Sequence, residues 1–160
     1  MKFPTFNSDG SGRDEMLFLA FVTIRRLLNR IHNVVYGLDS SPGLAITNRA
    51  DILALEGVLT ELVWQLSSWY DSLPETIQPD LAASPHDTHD AWLRLRYWSA
   101  KHIITRPCLF YATTVTTESD LPRFVIEYSE MCAQSCRNYI KTATYALKER
   151  AHYNWMTIQA

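Results

Sequence analysis

A chain of 160 residues, 47% of them hydrophobic, is the size of one ordinary domain and carries enough apolar material for a real core, which excludes a disordered segment. The 15 Lys and Arg against 17 Asp and Glu leave a formal net charge of -2, without the basic footprint that phosphate binding by a whole domain requires. Direct nucleic-acid contact through this chain is therefore not expected.

Five Trp and eight Tyr beside only five Gly favour long packed helices over many short strands. Met1 to Gly12 collects Pro4, Asn7, Ser8, Asp9, Gly10, Ser11 and Gly12, turn formers with little to bury, and reads as a flexible leader. From Arg13 the pattern changes. Leu17, Ala20, Ile24, Leu27, Ile31, Val34 and Leu38 recur at steps of three and four, with Phe21, Leu28 and Val35 widening the same face, so a long amphipathic helix is expected to stop at Gly37. The apolar run Met16 to Val22 follows Asp14 and Glu15 and is interrupted by Arg25 and Arg26, which suits neither a secretory segment nor a membrane span.

After the turn Asp39-Ser40-Ser41-Pro42-Gly43, a second helix is marked by Ile52, Leu55, Leu59, Leu62, Leu66, Trp69 and Leu73. Thr47 or Asn48 can cap its start, and Leu73-Pro74 ends it, because the residue before a proline is pushed out of the helical region. A stripe of that length needs partner helices along its whole extent. Glu75 to His89, with Pro79 and Pro85, forms an irregular crossing.

The third helix begins near Asp87 or Asp90 and carries the stretch LRLRYWSAKHIITRPCLFYA, Leu93 to Ala112. Leu93, Tyr97, Ala100 and Ile104 line one face, broadened by Trp92, Trp98 and Ile103, and at Arg106-Pro107 the helix must kink or end. Thr113 to Asp120 reads as a surface connection. A fourth helix starts at Leu121-Pro122 and runs to about Arg150 with Val125, Tyr128, Cys132, Cys136, Tyr139, Ala143 and Ala146 inward. His152 to Ile158 opens another apolar-bearing pattern before Ala160, so the expected architecture is all-α, a bundle of about four long helices plus a truncated fifth. Such a piece should expose apolar surface and self-associate.

Three groups of residues offer chemistry. His86-Asp87-Thr88-His89-Asp90 has the donor types of a divalent metal site but no established ligand spacing, and reads equally as a polar loop and cap. Cys132 and Cys136, four apart, share a helical face as a redox pair, a soft-metal site or two small apolar residues. His102, four residues before Arg106, has the chemistry of a general base but no serine or cysteine nucleophile in a suitable context, and Arg106 suits a structural role, satisfying a carbonyl freed by Pro107 or pairing with a carboxylate. Arg25, Arg26 and Arg30 read as a solvated face. There is no P-loop, dinucleotide fingerprint or zincin motif, so no enzymatic activity is expected. The odd Cys count of three, with no signal peptide ahead, points to reduced thiols in an intracellular compartment.

Trp69-Tyr70-Asp71-Ser72-Leu73-Pro74, then Leu93 to Trp98, then Arg106-Pro107-Cys108-Leu109, then Cys132-Ala133 resemble, in order and spacing, the regulatory middle region of fungal-specific transcription factors of the binuclear zinc cluster class. Ile24 to His32 is similar to an early helix of that region. The resemblance spans residues 13–160 and implies a helical regulatory domain, incomplete at its C-terminal end, in a nuclear protein that controls transcriptional output. Its implied partners are a small-molecule effector, proteins of the transcription machinery or a second copy. The six-cysteine zinc module of that class has no counterpart here, so neither DNA binding nor zinc is implied, and no cofactor is expected in this chain. The Tyr97, His102 and Arg106 face would border any effector pocket. The competing expectation is a stand-alone helical interaction or scaffold domain, motivated by the long stripe of the second helix.

Overall fold

The structure is a computed structural model and describes residues 10–37, 46, 48–114 and 121–149. It is all-α: α1 is Gly10–Tyr36, α2 Arg49–Asp71, α3 Thr88–Thr114 and α4 Arg123–Glu149. The expected truncated fifth helix, over 152–158, and the leader residues 1–9 lie outside the described residues. The first helix takes in Gly10, Ser11 and Gly12, three residues before the Arg13 boundary expected from the sequence.

The stripe of α2 is buried at every expected position, from Ile52 through Leu73. Its start is fixed by Asn48, whose side chain accepts from the Asp51 amide at 3.0 Å while the Asp51 carboxylate accepts from the Asn48 amide at 3.3 Å. Ser72 closes it, donating its amide back to Ser68 and Trp69. In α1 the buried apolar side chains of the core are Leu17, Ala20, Ile24, Ile31 and Val35, whereas Val34 is 37% exposed. At about 100° per residue the step from Ile31 to Val35 stays on the face and the step to Val34 leaves it.

The hub is α3, which packs against α4, α2 and α1. Leu93, Tyr97, Ala100, Ile104, Cys108 and Tyr111 enter the main core, while Ala91 and Leu95 form a second apolar cluster with Ala146 of α4. A helix covered on several sides has no continuous polar face to spare. It is covered so completely that Arg94 is only 2% exposed. That guanidinium forks onto Asp90, Nε to Oδ1 at 2.6 Å and Nη2 to Oδ2 at 3.0 Å, and also donates to the carbonyls of Ala83 and Ser84. It therefore ties the irregular crossing to the start of α3.

Along α4 the small residues Ser135 and Thr142 are buried among the apolar ones. Each hydroxyl donates to a carbonyl of its own helix, Met131 at 2.7 Å and Asn138 at 2.8 Å, so neither carries an unsatisfied donor into the α3 contact. Among the described helices none is long and apolar enough to cross a membrane.

Candidate functional site

At Pro107 the helix α3 does not end; it continues to Thr114. Proline has no amide hydrogen, so the Ile103 carbonyl one turn earlier loses its helical donor. Tyr36, the last residue of α1, supplies one: its hydroxyl donates to the Ile103 oxygen at 3.2 Å. Burial pushes the Tyr36 phenol up, partly countered by Arg106, and so keeps it protonated as a donor. The Arg106 guanidinium lies over the Tyr36 ring, 5.3 Å from its centroid. The carbonyl is thus met by Tyr36, and Arg106 holds the tyrosine from its other side.

One turn before Arg106, His102 faces α4. Its Nδ1 lies 3.0 Å from the Cys136 sulfur and 3.3 Å from the Cys132 sulfur, and the Cys132 thiol also donates, at 3.9 Å, to the His102 carbonyl. The helical spacing of the two cysteines places both sulfurs on the α3-facing side of α4. Cys132 is fully buried, while Cys136 and His102 are half-buried. Burial, and then the nearby Arg106 charge, push the His102 pKa down; burial pushes the Cys132 thiol up. Both shifts favour the uncharged forms of His102 and Cys132, and His102 Nδ1 lies within reach of both sulfurs.

The residues expected to border one pocket separate into two places. His102 and Arg106 sit together near Tyr36 and the cysteines. Tyr97 points instead into the core beside α2, with its ring 5.4 Å from that of Tyr70 and 5.0 Å from that of Trp98. Lys101 covers both Tyr97 and Trp98. Five residues on a helix separate Tyr97 from His102 by about 140°, which places them on different faces.

The run His86 to Asp90 leads from the crossing into the first turn of α3, and its two carboxylates are engaged within the protein. Asp87 accepts from the Asp90 amide at 2.8 Å and pairs with Arg13 of α1 at 3.0 Å, while Asp90 is engaged by Arg94. Tyr36 is the residue that sequence reasoning missed; no local pattern announces that a tyrosine at the end of one helix will meet a carbonyl freed on another.

Among the described residues, His102, Cys132 and Cys136 form the cluster with metal-ligand chemistry, their donor atoms all within 4.8 Å of one another. Comparison with protein-family models, with curated proteins and with solved structures finds no match to this chain.

Proposed function

We propose that the chain is a regulatory helical domain of the kind implied by its resemblance to fungal-specific transcription factors, acting in the nucleus without touching DNA and without a catalytic step. A ligand event at His102, Cys132 and Cys136 sets its output. The observation that supports this is position: the cluster straddles α3 and α4, and α3 is the helix that packs against the other three. A change in the distance between α3 and α4 there is felt throughout the bundle. The test joins the full chain to a heterologous DNA-binding module and an activation segment and reads a reporter. His102→Ala and Cys136→Ser shift the output at equal protein level, while Ile140→Ala, on the exposed side of α4, leaves it unchanged. Equal output from all of them defeats the reading.

A second reading, a helical protein-protein interaction or scaffold domain, is favoured by a different feature. A shallow groove of about 430 Å³ lies between α1 and α2, lined in part by Arg26, Arg30, Trp64 and Trp69. Trp64 is 63% exposed. An assembly of this chain in light scattering that Trp64→Ala dissolves supports the scaffold; a monomer indifferent to that change argues against it.

A further inference from the structure

We propose that His102, Cys132 and Cys136 bind a thiophilic d10 metal ion, zinc(II) or copper(I), which clamps α3 to α4. The proposal deepens the regulatory reading by naming the class of effector, and it rests on that reading for its consequence but not for the binding itself.

Three observations carry it. The first is the donor set. Two sulfurs and one imidazole nitrogen, with no carboxylate among them, form the soft combination that prefers zinc(II) or copper(I) to calcium or magnesium. The second is fit. With metal-sulfur and metal-nitrogen bonds of about 2.3 and 2.0 Å, tetrahedral zinc needs sulfur-nitrogen separations of roughly 3.5 Å. The two observed sulfur-nitrogen separations are 3.3 and 3.0 Å, so the imidazole nitrogen and each sulfur must part by only a few tenths of an ångström, within reach of side-chain rotation, and all three donor atoms already lie within 4.8 Å of one another. The third is rigidity and access. Both sulfurs are held one helical turn apart on α4 and the imidazole on the facing helix, so the ligands come from two fixed elements, while the half-buried His102 and Cys136 leave an entry route.

On binding, each thiol gives its proton to solvent, the two thiolates and the Nδ1 lone pair bond to the ion, and no electron is transferred. The three donors complete a trigonal copper(I) site. For zinc(II) they leave one of four positions to water or an outside ligand, as an open rather than a closed zinc site does. Arg106, whose charge is felt at both His102 and Cys132, offsets the negative charge of the dithiolate.

The experiment uses the full chain, kept reduced and free of oxygen, titrated with zinc(II) and separately with copper(I) against chromophoric competitors, and with cobalt(II) as a spectroscopic stand-in. The expected result is one ion per chain, a thiolate-to-cobalt charge-transfer band, and a rise in melting temperature on loading. His102→Ala and Cys136→Ser should each weaken binding by at least about 100-fold, the upper end of what loss of a mere outer partner costs. Cys108→Ser should bind as the parent does, and helicity measured without metal shows that each variant is folded. The two titrations distinguish zinc(II) from copper(I). Failure of both ions to bind stoichiometrically, or unchanged binding in His102→Ala and Cys136→Ser, overturns the proposal. A reporter that still depends on His102 after that failure preserves the regulatory reading with another effector, and tight metal binding with an indifferent reporter defeats the regulatory reading instead.

Discussion

The Tyr36 hydroxyl and the Ile103 carbonyl, 67 residues apart, meet at 3.2 Å where Pro107 has removed the helical donor to that carbonyl. The proline gap in α3 thereby becomes a joint to α1. Tyr36→Phe keeps the ring under Arg106 and deletes only the hydroxyl, leaving a carbonyl unsatisfied at a cost of about 1–2 kcal/mol. Pro107→Ala restores an amide donor within the helix. In that background Tyr36→Phe should cost clearly less, and urea unfolding of the four proteins of the cycle measures the coupling. Equal costs in both backgrounds would falsify the pairing of carbonyl and hydroxyl.

A larger effect is expected at the buried ion pair. Arg94→Ala leaves the Asp90 carboxylate, itself 8% exposed, without its fork and frees the carbonyls of Ala83 and Ser84. Breaking a buried pair from one side costs about 3–5 kcal/mol, which for a domain of this size is a large share of its stability. Arg94→Lys should recover little of it, because an ammonium cannot reproduce two parallel bonds to one carboxylate. Denaturant midpoints of the two variants settle the point; a lysine variant as stable as the parent would contradict the fork as the reason for the arginine.

At the start of α3, Asp87 gives the bundle a dependence on acid. Burial pushes its carboxyl up, but the Asp90 amide and the Arg13 guanidinium outweigh burial and hold it below the usual carboxylate range. A depressed folded pKa means stability that is present above the ordinary carboxylate range and is lost as pH falls through the folded value. Asp87→Asn retains a capping oxygen and should flatten that acid limb. Asp87→Ala should also lose about 1 kcal/mol at neutral pH, the usual worth of a cap. Melting temperatures from neutral to acid pH check both, and parallel acid limbs in parent and Asp87→Asn would contradict this assignment.

How much of this was readable in the chain depends on how local each feature is. The α2 stripe follows from spacing within one element and is found as expected, and of the two capping candidates, Thr47 and Asn48, it is Asn48 that caps the helix. Val34 and Val35 are adjacent β-branched residues, and which of them turns inward depends on where α1 meets its neighbours. Cys132 and Cys136 share a face by helical arithmetic, but the arrival of His102 between them joins positions 30 and 34 residues away, through a packing that no spacing within α4 specifies. The buried pair of Asp90 and Arg94 was not anticipated from the sequence; an i,i+4 spacing does not say that a pair is buried, which follows only from α3 being the helix that the others cover. Arg106 was expected to satisfy a carbonyl freed by Pro107 or to pair with a carboxylate; Tyr36 meets that carbonyl, and Arg106 lies over the Tyr36 ring.

The three thiols differ in surroundings enough to be separated by reaction rate. The thiolate is the nucleophile, so reactivity requires both access and an ionised sulfur. Cys108 has neither: it is 0% exposed, and burial first, then Cys132 and Glu56, push its pKa up to about 12. Cys132 is also fully buried, and its pKa is raised chiefly by burial. Cys136 is only half-buried and is the most accessible of the three thiols, its sulfur 3.0 Å from the His102 ring nitrogen. Alkylation of the folded, reduced protein at mildly alkaline pH, followed by peptide-resolved mass spectrometry, should therefore label Cys136 first, Cys132 more slowly, and Cys108 only at the rate of unfolding. Pre-loading with zinc(II) should protect Cys136 and Cys132 and leave Cys108 as slow as before. Labelling of Cys108 ahead of Cys136 would contradict the packing of α3 against α4, whereas labelling of Cys136 at the same rate with and without zinc(II) would contradict only the metal site.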